Sequence, residues 1–205
     1  MQRVLIDPNT ITGRKAYQLL TSAVIPRPVG LISSISAAGV VNLAPFSFFN
    51  AICGEPPMVM FCPTNRTPAK DTLSNVRETG EFVANIVNQD MAQQMNLTSG
   101  EYPPEVNEFD VSGLTAAPSQ MIKPPCVVES PVSMECKVRH ILEVSDKPHG
   151  ASIVVGEVVL FHIHDEVLTQ DALVDSIKLN PVLRLGGSLY GIMTDRYEMS
   201  RPVVK

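Results

Sequence analysis

The sequence predicts a mainly β fold, a β-barrel with flanking helices that occupies residues 1–205 as one domain. Three observations carry this expectation. Apolar runs of strand length recur roughly five to seven times, bounded by turn-forming residues. The helical stretches interrupt those runs instead of alternating with them, which argues against a doubly wound parallel sheet. The 17 prolines are scattered among connections instead of gathered in a linker, and the chain has no internal repeat.

Taken in order, "GRKAYQLLTSAV" places Ala16, Leu19, Leu20 and Ala23 at helical spacing, and this helix has to end before Pro26. "RPVGLISSIS" reads as a strand, "AAGV" as a turn in which Gly39 supplies the freedom in φ, and "VVNLA" as the returning strand. "FFNAICG" and "PMVMFC" make a second strand pair around the turn residues "EPP". In "TPAKDTLSNVRETGEF" the rhythm changes: Leu73 and Val76 predict a helix from about Asp71, with Gly80 as the residue that stops it. The strand "EFVANIV" follows, then a second helix in "QDMAQQMNLTSG" ended by Gly100. The segment from Tyr102 to Pro125 is polar and proline-bearing and reads as an excursion or lid. "SPVSMECKVRHILEV" and "ASIVVGEVVLFHIH" are the longest strands, joined by a hairpin turn at "DKPHG".

Composition narrows the function classes. A net charge of −5 with no local basic cluster argues against a nucleic-acid partner. The start, "MQRVLIDPNT", has no apolar signal core, and no apolar run approaches the roughly 20 residues of a membrane span, so a cytoplasmic protein is expected. Cys53, Cys62, Cys126 and Cys136 form no CxxC pair and the histidines no HExxH, so zinc-type spacing is absent and free buried thiols are the plain reading. His162 and His164 in "FHIH" share a strand face, a weak metal signal with no third ligand in view; the metal expectation is none.

One connection does not follow ordinary turn chemistry. "NLAPFSFFN", from Asn42 to Asn50, puts two adjacent phenylalanines and small polar side chains after Pro45, in a chain with only 5% aromatics. That mixture suits a flat ligand with polar edges. The runs "IPRPVGLISSISAAGVVNLAPFSFFNAICGEPPMVMF" and "KDTLSNVRETGEFVANIV", followed by "GEVVLFHI" and "RLGGSLYG" in the same order, closely resemble the flavin reductase-like family of FMN-binding split barrels, flavoredoxin-like proteins among them. The resemblance spans Ala16 to Tyr190.

What the resemblance implies is specific. The fold would be a six-stranded antiparallel split barrel, forming a homodimer with FMN near the subunit interface. Ala44, Pro45, Ser47, Phe48, Phe49 and Asn50 would lie along the flavin, with Ser47 as a hydrogen-bond partner and one of Phe48 and Phe49 covering the ring system. Adjacent strand residues face opposite sides, so the other phenylalanine belongs to the core. Of Ser33 and Ser34, one would face the flavin. Lys70 and Thr72, at the start of the helix opened by "KDT", would hold the FMN phosphate together with unpaired backbone amides, Asp71 serving as a cap. Arg66 is near enough in sequence to assist or to be solvated loop. Arg27 is either a phosphate or interface arginine or an exposed cation, and Arg184 and Tyr190 flank a glycine turn on the ligand side.

A flavin exchanges hydrides and single electrons, and the protein supplies position and electrostatics, which suits a chain with no catalytic triad or carboxylate pair. No GxGxxG is present, so NAD(P)H would dock directly in the flavin cleft. The reading is an FMN-binding oxidoreductase that uses NAD(P)H to reduce flavin or a small-molecule or protein acceptor. An FMN-carrying electron-transfer protein and a barrel binding some other ligand are the competing readings.

Overall fold

The computed structural model describes residues 2–65, 69–147 and 150–204. Helix α1 (Gly13–Ala23) opens on Thr12, whose Oγ1 accepts from the Lys15 amide, and ends before Pro26 as expected. Strands β1 (Arg27–Pro28), β2 (Gly30–Ile35), β3 (Val41–Phe46), β4 (Phe49–Gly54) and β5 (Pro57–Phe61) follow. Gly39 turns the chain between β2 and β3 at φ +86°. Helix α2 (Asp71–Thr79) stops at Gly80, which is left-handed at φ +71° and donates its amide to the Val76 carbonyl. Then come β6 (Glu81–Ile86), α3 (Ala92–Leu97), α4 (Glu108–Ser112), β7 (Ala116–Ala117), β8 (Cys126–Val127), β9 (Val132–Glu143), β10 (Ser152–Ile163), α5 (Ser176–Leu179), β11 (Leu183–Arg184) and β12 (Tyr190–Gly191).

The main sheet is antiparallel with seven strands in the order β3-β2-β6-β9-β10-β5-β4. Its two edge strands are consecutive in sequence, joined only by Ser47 and Phe48. The sheet therefore has to roll until its edges meet, and this seam is where the barrel is split. Counting β3 and β4 as one bent strand recovers the expected six. Inside the roll, Phe61 meets Phe46 at 4.9 Å and Phe82 at 5.1 Å between ring centroids.

The strand alternation divides two cores. Ile32, Phe46, Phe49, Phe61 and Phe82 fill the barrel, while Leu31, Leu43, Met95, Phe109 and Val127 pack on the outer face. The segment from Tyr102 to Pro125 is consequently not a lid. It carries α4, buries Phe109, and sends the Glu108 carboxylate to the Leu43 amide at 3.0 Å, covering the outer face of the sheet. The helix in "QDMAQQMNLTSG" ends before Gly100, because the Thr98 hydroxyl donates to the Met95 carbonyl and closes the last turn. The hairpin at "DKPHG" joins β9 and β10, and Pro148 and His149 within it lie outside the described residues.

Candidate functional site

Two cavities meet at the barrel seam, sharing Pro45 and Ser99. The smaller, about 130 Å³, sits at the start of α2 between Ala44, Lys70 and Thr72 on one side and Gly100 to Tyr102 on the other. The larger is a cleft of about 1090 Å³ bordered by Ser47, α1, α3 and the β11–β12 turn. Its volume exceeds the range of about 300–1,000 Å³ typical for a drug-sized ligand, so it has room for a second molecule beside a first.

At the small cavity, α2 presents what an anion needs. Its first intrahelical bonds run from the Leu73 and Ser74 amides back to Lys70, which leaves the Asp71 and Thr72 amides at the open end. Thr72 is buried and its Oγ1 accepts from Asn42 Nδ2 at 2.9 Å, which fixes the rotamer. Lys70 Nζ lies 5.3 Å over the Phe46 ring. Asp71, Glu101 and Glu108 also line this cavity. Burial pushes the Glu108 carboxyl up, against the Leu43 amide that favours its charged form.

The expected site residues separate in space. Ala44, Pro45, Lys70 and Thr72 line the small cavity, and Pro45 and Ser47 the large one. Phe48 is half-buried beside the cleft, its ring 6.4 Å from Tyr17 and under the Arg27 guanidinium at 5.8 Å. Phe49 turns the other way into the barrel, where it lies against Gly30. Asn50 is exposed on β4 and accepts from the Ala51 amide, outside both cavities. Ser33 and Ser34 also lie outside them. Ser33 faces the outer layer and donates to the Pro125 carbonyl, and Ser34 accepts from Asn75 Nδ2 at 3.0 Å; both are 0% exposed. Arg66 is outside the described residues.

Arg27 is neither exposed nor an open phosphate ligand. It is 7% exposed, and its Nη atoms donate to the carbonyls of Thr21, Val24 and Leu185 at 2.5–2.9 Å. These bonds tie the C-terminal end of α1, where a cation is favoured, to the β11–β12 turn. His162 is satisfied elsewhere: its Nε2 is 2.6 Å from Glu135 Oε1, and Glu135 also accepts from the Gln120 and Met121 amides. Cys126 brings its thiol within 4.8 Å of both groups, but the 2.6 Å contact is a hydrogen bond, too short for two ligands sharing one ion. His164 turns instead toward Glu166. Of the cysteines, Cys126 and Cys136 are buried, Cys62 is half-buried and Cys53 is exposed.

Sequence reasoning missed the two helix faces that wall the cleft. Gly13, Tyr17 and Thr21 on α1, and Gln93 and Asn96 on α3, recur at helical spacing. On α1 the signal was the stripe of small and polar side chains beside an exposed Tyr17.

The rolled antiparallel sheet, split at its β3–β4 seam with a cation-bearing cleft at the split, is a split barrel, and its similarity to the proteins that follow places it among flavoproteins of the oxidoreductase class. Residues 22–182 match the family model described as the flavin reductase like domain, and the chain belongs to that family. It is 41% identical over 180 residues, 87% of this chain and 90% of the other, to an uncharacterized protein of Aquifex aeolicus. Among solved structures it is similar to nitrilotriacetate monooxygenase component B from Bacillus cereus, with TM-score 0.93, 30% identity, and coverage of 97% and 100% of the two chains. It is also similar to the Pseudomonas fluorescens 2-nitrobenzoate 2-nitroreductase, with TM-score 0.86, 30% identity, and coverage of 97% and 96%. No helix among the described residues is long and apolar enough to cross a membrane.

Proposed function

We propose that the protein binds FMN across the barrel seam and uses it to transfer a hydride from NAD(P)H to free flavin or another small acceptor. The observation that carries this reading is that the two cavities are neighbours, both lined by Pro45 and Ser99. A phosphate held at the α2 start leaves the rest of its molecule leading into the wide cleft.

The residues fit the group. Lys70, the Asp71 and Thr72 amides and the Thr72 hydroxyl form a single-phosphate cradle, and the small cavity of about 130 Å³ matches one phosphate and not a dinucleotide. The neighbouring carboxyls of Asp71, Glu101 and Glu108 oppose an anion and limit how tightly the cradle holds it. When bound, the flavin supplies hydride acceptance and one- or two-electron release. Ser47, between β3 and β4, would orient the polar edge of the ring, Pro45 would line its path from the small cavity, and α1 and α3 would wall the space left for the second reactant.

A second copy of the chain would complete the site. Leu20, Val24 and Ile25 stay exposed at the end of α1, beside the cleft wall, and would be buried across a two-fold axis.

The test begins with FMN and FAD titrated into the flavin-free protein, followed by NADH and NADPH oxidation with and without added FMN. FMN should bind at least about tenfold more tightly than FAD, and Lys70→Ala should weaken FMN about ten- to a hundredfold while barely affecting riboflavin. Equal FMN affinity in Lys70→Ala removes the cradle. Reduction of the bound flavin without turnover of added FMN replaces the reductase by an electron carrier. A 22.3 kDa particle in light scattering rules out the dimer.

A further inference from the structure

We infer that the wide cleft contains an oxyanion subsite, built on Arg184 with the buried charge of Arg27 behind it, that takes the carboxylate or phosphate of the molecule reacting at the bound flavin; the inference rests on the flavin reading above.

Three independent features point to it. Arg27 Nε is buried and has no hydrogen-bond partner, although the Nη atoms of the same guanidinium are engaged on carbonyls. That Nε has almost no accessible surface, so Arg27 offers the cleft a fixed positive charge and not a free hydrogen bond. Arg184 stands directly opposite Arg27 in the β1–β11 register, its guanidinium 4.2 Å over the Tyr190 ring and one Nη donating to the Gly187 carbonyl at 2.6 Å. Its head is therefore held in place before any ligand arrives.

The charges are also segregated. Arg14, Arg27 and Arg184 line the cleft and no Asp or Glu does, in a chain whose net charge is −5. Among the described residues neither Arg27 nor Arg184 forms an ion pair. Burial lowers the pKa of Arg27, Tyr17 opposes that shift, and the nearby Arg184 adds to it. A guanidinium held at the cleft with a second fixed cation behind it is complementary to one planar or tetrahedral oxyanion. Phe48 and Tyr190 beneath them offer flat surfaces for a planar group attached to that anion. The anion has two sources, the phosphates of a nicotinamide dinucleotide or the carboxylate of an organic acceptor, and both are recognised by the same chemistry.

The experiment uses the full chain, with FMN affinity measured first by fluorescence titration. Sodium pyrophosphate and sodium benzoate, with benzamide as the uncharged counterpart of benzoate, are then titrated calorimetrically into the parent, Arg184→Gln and Arg184→Lys. At least one anion should bind, benzamide about tenfold more weakly or not at all, and Arg184→Gln should lose about tenfold in anion affinity with Arg184→Lys recovering part of it. FMN affinity should stay within about threefold in both variants. Arg27→Gln would untie α1 as well, so Arg184 carries the test. Preference for pyrophosphate assigns the subsite to the dinucleotide, and preference for benzoate to a carboxylate acceptor. Absence of anion binding, unchanged affinity in Arg184→Gln, or displacement of FMN by pyrophosphate overturns the inference. Failure of the parent to bind FMN overturns the flavin reading and leaves the anion titration readable.

Discussion

Gly30 couples the barrel interior to the cleft, and replacing it by alanine makes that coupling measurable. A Cβ at this position would lie 2.7 Å from Phe49 Cδ2 and 2.8 Å from Cγ, where carbon atoms prefer about 3.5–4.0 Å. The ring has to retreat by about 1 Å. It cannot do so freely, because Phe49 is in the barrel core and its backbone pairs with Phe61 on β5. Overpacking of this kind costs about 1–3 kcal/mol, or about 2–12 °C in Tm for a chain of this size. Ser47 and Phe48 immediately precede Phe49, so part of the strain should be relieved by moving the seam. Gly30→Ala should therefore also weaken flavin binding, by more than its stability loss alone explains. The assays are urea unfolding, with the m-value checked, and flavin titration well below the unfolding midpoint. Adding Phe49→Leu should restore part of the flavin affinity by giving the new methyl room. A Gly30→Ala variant with unchanged Tm and flavin affinity would refute the reasoning.

Two further outcomes are expected. Ser47→Ala should change flavin affinity, the visible spectrum or the reduction potential. Ser36→Ala should alter only stability, by about 1 kcal/mol, because that hydroxyl accepts from the Val40 amide at an exposed turn away from the cleft; identical flavin behaviour in the two variants removes Ser47 from the site. Glu135→Ala should lower Tm by about 6–20 °C, the equivalent of about 3–5 kcal/mol for breaking a buried pair, since Glu135 is 0% exposed and engages two amides and His162. Burial pushes the Glu135 carboxyl up, but the Gln120 amide, His162 and the Met121 amide outweigh it and hold the pKa below the ordinary range. Its stabilisation is thus full above an unfolded pKa of about 4.3 and is lost as pH falls through the lower folded value. Acid unfolding monitored by circular dichroism should lose that component of its pH dependence in Glu135→Ala, and an unaltered acid profile with an unaltered Tm would reject the pairing.

The fold was legible where local chemistry decides. Gly39 and Gly80 stop their elements at positive φ, and the alternation along β10 separates two faces without any partner in view. Pro45, Ser47, Lys70 and Thr72, marked in sequence by the unusual composition of one connection and by one helix start, all line the two cavities. Ser33 and Ser34 lie away from both cavities for a physical reason: alternation says that they face opposite ways, but not that the segment ending at Pro125 folds over one and Asn75 reaches the other. Arg27 was undecidable because one of its acceptors, the Leu185 carbonyl, lies 158 positions away. Glu135 looks like any strand glutamate until Gln120 and Met121 are folded onto it.

The interleaved strand order has a consequence for how the chain assembles. β2–β3 and β4–β5 are hairpins of near neighbours, yet neither β6 nor β5 finds its second partner until β9 and β10 exist. The last long hairpin is a keystone that slides between two halves made much earlier. During synthesis from the N-terminus, the ribosome therefore releases two open sheet edges well before their cover, a window in which they can pair with other chains. Closure must wait for contacts far apart in sequence, the kind that slows folding most. In pulse-labelled hydrogen exchange, the β2–β3 amides should accordingly become protected before those between β5 and β10; simultaneous protection would mean that the barrel closes in one step.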